Sequence, residues 1–69
     1  METMGITIKE RRQQLGITQQ ELADLSGVGI NTLVAMERGS GNPSVGTLRK
    51  VAAVLGLELK LSRRQVEGL

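Results

Sequence analysis

The side chains best equipped to engage a partner lie between Thr18 and Gly39, in the run TQQELADLSGVGINTLVAMERG. There Gln19, Gln20 and Asn31 bring amides, Thr32 a hydroxyl and Arg38 a guanidinium. Groups of these types recognise by hydrogen bonding. The 69-residue chain holds no histidine, cysteine or tyrosine, so the usual general bases, activated nucleophiles and zinc ligands are missing. Its seven carboxylates are mostly interleaved with basic residues or stand at helix starts. Enzyme chemistry is therefore disfavoured, and no metal or cofactor is expected.

The elements that must hold these groups can be read from local patterns. Thr18 stands three residues before Glu21 and just ahead of the apolar Leu22, Ala23 and Leu25, a capping box that starts a helix. Ser26-Gly27-Val28-Gly29 breaks it, because Gly27 can take the left-handed conformation that ends a helix and Gly29 is a tolerable N-cap for the next. That second helix opens near Ile30. Leu33 and Met36 share its inner face, the small Ala23 lets the two helices cross closely, and Gly39 ends the pair. Two short helices joined by a glycine turn at this spacing are what a DNA-reading unit needs.

Around this pair the chain supplies further helices. Thr7 precedes Glu10 by three, a second capping box, and Ile8, Arg12 and Leu15 follow at i, i+4 and i+7 until Gly16, which predicts a helix over 8–15. Residues 40–43 form a loop, Pro43 or Ser44 begins another helix, and Leu48, Val51, Ala52 and Leu55 give its buried stripe before Gly56. Leu57, Leu59 and Leu61 then alternate with charged residues at the period of a strand. That strand has no obvious partner in the chain, so pairing with the same strand of a second subunit across a two-fold axis is the economical solution. An amphipathic end of the preceding helix or a disordered tail are the other readings of this stretch. Residues 1–61 are thus expected to form one domain and 62–69 a mobile polar tail.

Gln19, Ala23, Gly27 and Leu33 match the pattern Gln-x3-Ala-x3-Gly-x5-apolar, and on these residues the chain resembles the Cro and repressor-like (XRE) helix-turn-helix regulators. The likeness extends to RRQQLGITQQELA before the motif and ERGSGNPSVGTLRKVAAVLGL after it, roughly residues 6 to 56. It implies an all-α fold: a compact four- to five-helix lambda-repressor-like DNA-binding domain, here followed by the short C-terminal β-strand. It also implies an internal pair between Arg12 and Glu37 that links the first helix to the end of the recognition helix.

If the second motif helix enters the major groove, Ile30, Asn31, Val34 and Ala35 face base edges with Thr32 beside them. Asn31 is the best single reader, since its amide can contact the N6/N7 edge of adenine bidentately. Ile30 and Ala35 offer apolar contact, most usefully to a thymine methyl. A solvated amide at a helix start is the plainer role for Asn31. Outward Ile30 and Val34 would leave exposed apolar surface of the kind that marks an interface. Related regulators often carry polar or basic residues in this helix, so specificity read partly through DNA shape is also expected. By its position in the resembling motif, Gln19 braces the backbone next to the recognition helix; plain solvent exposure is its other role. Thr18 and Gln20 lie beside it at a helix start that favours a phosphate. Arg11, Arg38, Arg49 and Lys50, with Asn42 and Ser44 of the loop, are candidate phosphate contacts.

Composition fits this reading without requiring it. Nine Lys plus Arg against seven Asp plus Glu leave a formal charge of +2, which suits an acidic polymer only if the basic groups share a face. A chain of this length buries only about 60% of its unfolded surface, so a homodimer is expected on size alone. With no aromatic residue and no disulfide, the core must be close-packed Leu, Ile, Val, Ala and Met. No apolar run approaches a signal or membrane segment, making the cytoplasm the default compartment. The expected function is a dimeric repressor-type regulator on an inverted repeat of double-stranded DNA. The terminal Gly-Leu-Glu-Leu-Lys-Leu is similar to HipB-type antitoxins, which would add a toxin partner such as a HipA-like kinase. A protein-binding adaptor on the same fold is a third reading.

Overall fold

The computed structural model describes residues 2–58, within which the chain forms helices α1 (Glu2–Gln14), α2 (Gln19–Ser26), α3 (Ile30–Arg38) and α4 (Val45–Leu55). Helix α1 packs on α3 and α4, and α2 packs on α3 and α4. Where they meet, Ile8, Leu22, Ala23, Leu33, Met36, Val51 and Leu55 form the buried core. Ile17, Val28, Leu48 and Val54 close its edges. This is the aliphatic core that a chain without aromatic residues has to build.

Helix α1 begins earlier than its sequence pattern suggests. Thr7 is not a cap, because it lies inside the helix and its hydroxyl donates to the Thr3 carbonyl at 3.0 Å. The competing influence is packing. Met4 and Ile8, four residues apart, extend the inward stripe by a turn, and between them Gly5 is buried against the end of α3. A Cβ on Gly5 would press on the Met36 carbonyl and sit 2.9 Å from that of Glu37, so only glycine lets the helices approach this closely. At its other end, α1 stops at Gln14. Leu15 swings out to 44% exposure, and Ile17 replaces it against the core.

Helix α4 starts from Ser44, whose Oγ accepts the Thr47 amide at 3.1 Å, and so settles the choice between Pro43 and Ser44. Its inward stripe is as expected: Val51 and Leu55 are buried, and Leu48 and Ala52 are half-buried. After Gly56, the Leu57 amide donates to the Ala52 carbonyl at 2.9 Å, and the Leu57 side chain packs against the core of its own chain. Among the described residues there is no strand, so four helices constitute the observed fold. Leu59 and Leu61 of the expected dimerisation strand, and the 62–69 tail, lie outside the described residues.

Candidate nucleic-acid interface

The α2–turn–α3 unit is built from the caps outward. Thr18 Oγ1 accepts the Glu21 amide at 3.0 Å while Glu21 Oε1 accepts the Thr18 amide at 2.9 Å, the reciprocal box that fixes the start of α2. At the other end Gly27 turns left-handed with φ of 71°, and the Val28 amide reaches back to the Ala23 carbonyl at 3.1 Å. The turn can be this tight because glycine carries no Cβ to oppose it. Gly29 caps α3 with no side-chain hydrogen bond. Ala23 and Leu33 are buried between the helices, which fixes how α3 sits on α2.

A charged network holds α3 from its C-terminal end. Arg12 Nε donates to Glu37 Oε2 at 2.7 Å and Nη2 to Oε1 at 3.1 Å, a bidentate pair whose side chains are only 11% and 3% exposed. Arg12 Nη1 donates to the Ile17 carbonyl at 2.8 Å, and Gln19 Nε2 donates to Glu37 Oε1 at 3.2 Å. One carboxylate therefore ties α1, the α1–α2 link, the start of α2 and the end of α3 together. Hydrogen bonding from Glu37 raises the Arg12 pKa, against desolvation that lowers it and with a smaller Coulombic contribution that also raises it. A raised guanidinium pKa means that this contribution is complete at any pH below the free side chain's own titration. Arg12 stays charged across the physiological range.

The opposite, outward side of α3 carries Asn31 and Thr32 exposed and Val34 and Ala35 half-buried. Asn31, Thr32 and Ala35 line a shallow hollow of about 440 Å³, with Met36 at its base and the loop Ser40–Gly41–Asn42–Pro43 as its other wall. Ile30 is not with them. It turns inward and packs against the core, because positions 30, 33 and 37 recur at i, i+3 and i+7 on the buried face of α3. Ile30, expected to face outward, is thus half-buried, with part of its side chain on the core and part at the surface. Ser40, Gly41 and Pro43 were missed by sequence reasoning, since nothing in a loop's composition says which helix it will lean on.

The expected backbone contacts divide. Arg38, Asn42 and Arg49 are exposed, as is Lys50. Ser44 is exposed, but its hydroxyl is engaged with Thr47, donating to Thr47 Oγ1 at 3.1 Å. Gln20 Nε2 donates to Asp24 Oδ1 at 2.9 Å, one turn along α2. Arg11 is directed elsewhere: its Nε donates to the Leu55 carbonyl at 2.9 Å, placing the guanidinium at the C-terminal end of α4. There it complements the helix dipole and joins α1 to α4.

Residues 8–65 match the helix-turn-helix family model, and the chain belongs to that family, in its XRE-type branch. It is 42% identical over 55 residues to an uncharacterised HTH-type transcriptional regulator of Methanothermobacter thermautotrophicus, covering 80% of each chain. It is also 46% identical over 57 residues to one of Haemophilus influenzae, covering 83% of this chain but only 58% of that relative. Among solved structures it is similar to SinR, a master regulator for biofilm formation, crystallised in complex with DNA. That match has a TM-score of 0.73 and 39% identity, and it covers 80% of this chain and 89% of the other. Among the described residues, no helix is long and apolar enough to cross a membrane.

Proposed function

We propose that the protein is a repressor-type transcription regulator that binds double-stranded DNA as a homodimer, each subunit placing α3 in a major groove. The observation that carries this reading is the division of α3. Leu33, Met36 and Glu37 lock one face into the core and the Arg12 network, while Asn31, Thr32 and Ala35 face outward beside the 40–43 loop. A helix held this firmly from behind, with an amide and a hydroxyl in its exposed first turn, suits reading of base edges. The DNA complex of the similar SinR chain supports the same partner.

In this reading Asn31 contacts adenine, Thr32 and Ala35 meet neighbouring bases, and Val34 lies against the groove wall. Arg38, Asn42 and Arg49 reach phosphates, while Thr18, Gln19 and Gln20 brace the start of α2. A two-fold dimer places the two α3 helices about one DNA turn apart, so the operator is an inverted repeat. The toxin-neutralising alternative rests on the terminal Gly-Leu-Glu-Leu-Lys-Leu alone, whereas DNA reading rests on α3.

Selection of bound duplexes from a random library at moderate salt tests the proposal, because phosphate contacts alone fade there while base readout persists. An enriched inverted repeat is expected; an unenriched library would overturn it.

A further inference from the structure

Two adjacent arginines in the last turn of α1 tie it to the ends of two different helices. Arg12 runs to Glu37 at the end of α3. Arg11 runs to the end of α4, where its Nε donates to the Leu55 carbonyl at 2.9 Å while its Nη1 donates to Gln14 Oε1 at 3.3 Å. The last carbonyls of a helix have no partner within it. Here the Leu57 and Gly56 amides serve those of Ala52 and Ala53, at 2.9 and 3.3 Å, and Arg11 serves that of Leu55. The guanidinium also lies beside Gly56, where a Cβ would stand 3.7 Å from Nη2.

These contacts fix a direction. Gly56 turns the chain out of α4 with a left-handed φ of 68°. That turn is held by the Leu57 amide on Ala52, by the Leu57 side chain on the core and by the Arg11 guanidinium on Leu55. Of the two hydrogen bonds, only the one from Arg11 comes from a different helix. Because Arg12 holds Glu37 from the next position along, the last turn of α1 braces the end of the reading helix and the exit from α4 together. A half-buried guanidinium committed to a carbonyl in this way is a strut between elements.

Resting on the homodimer reading above, with the subunits joined through Leu59 and Leu61, we infer that Arg11 is a positioning residue. By clamping the end of α4 to α1 it sets the angle at which the chain leaves the DNA-reading body, and so the half-site spacing that the two α3 helices span. One base pair more or less between half-sites displaces a recognition helix by about 3.4 Å along the duplex and by about a tenth of a turn around it. A clamped exit resists that displacement, whereas a loose one follows it. The resistance cannot exceed the strength of the clamp, which for one half-buried hydrogen bond from a charged donor is about tenfold in affinity.

The test uses the full chain, with light scattering for assembly and fluorescence anisotropy for binding. The duplexes carry a single half-site, the repeat recovered by selection, and that repeat with its half-sites one base pair closer or further apart. The native protein favours its own spacing. Arg11→Met, which keeps the bulk of the side chain without its donors, remains a dimer and binds the single half-site with native affinity and salt dependence, but its spacing preference falls by about tenfold. Arg11→Lys, able to donate to the same carbonyl, recovers most of that preference. Arg11→Ala takes the place of Arg11→Met if melting shows the latter unfolded. The inference is overturned if the native protein is indifferent to spacing, or if the donor-free variant is as selective as the native chain. It is equally overturned if that variant binds the single half-site more weakly with a shallower salt slope, which would make Arg11 a phosphate contact, or if it becomes monomeric, which would put Arg11 in the subunit contact itself. A native chain that binds no duplex would overturn the DNA reading, and a native monomer the homodimer reading, each taking this inference with it.

Discussion

At the scale of single residues, the Glu37 carboxylate accepts from both Arg12 and Gln19 and so joins three helices. Its removal leaves the 11%-exposed Arg12 guanidinium without a counter-charge. Loss of one partner from a buried pair typically costs about 3–5 kcal/mol. Glu37→Ala should therefore lower stability in urea denaturation by an amount in that range and weaken DNA binding with it; an unchanged melting temperature would contradict the role given to the pair. Partnership between Arg12 and Glu37 was legible from the family pattern. That Gln19 joins them was legible only as a bracing role, because its acceptor lies 18 positions away. The inward turn of Ile30 was available in the i, i+3, i+7 spacing with Leu33 and Glu37 but was masked by Glu37, whose charge disguises a buried position.

At the scale of elements, two identical local patterns behave differently. Thr7-x-x-Glu10 and Thr18-x-x-Glu21 both read as capping boxes, yet only the second is one. Thr18 follows the break at Gly16 and has no helix behind it to join. Thr7 follows Met4 and Gly5, which pack on the core and on the end of α3, so helix continues through it. A local pattern cannot report that tertiary support. Gly5→Ala would force α1 away from the Met36 and Glu37 carbonyls, and overpacking of this kind costs about 1–3 kcal/mol. A clear drop in melting temperature is expected despite alanine's better helix propensity; a rise would mean that α1 does not rest on α3 as described. Thr18→Ala, by contrast, should cost about 1 kcal/mol through the lost cap, measurable in the same melts.

At the scale of the whole molecule, the order of the helices and the aliphatic composition of the core followed from periodicity and glycine breaks, while the bounds of α1 did not. The hollow did not follow, because it is formed by a loop leaning on α3 and no local signal encodes that approach. Assembly belongs to this scale as well. Leu57 packs on its own chain's core, which leaves the proposed intersubunit pairing to Leu59 and Leu61. Leu59→Asp should therefore give monomers in light scattering, and a retained dimer would place the two-fold contact elsewhere. The central claim, that the outward face of α3 reads bases, is tested most directly by repeating the duplex selection with Asn31→Ala. The account predicts that the repeat is still recovered but loses its preference at one adenine in each half-site, where a bidentate contact contributes about 1–3 kcal/mol of discrimination. An unchanged base preference at every position would contradict it.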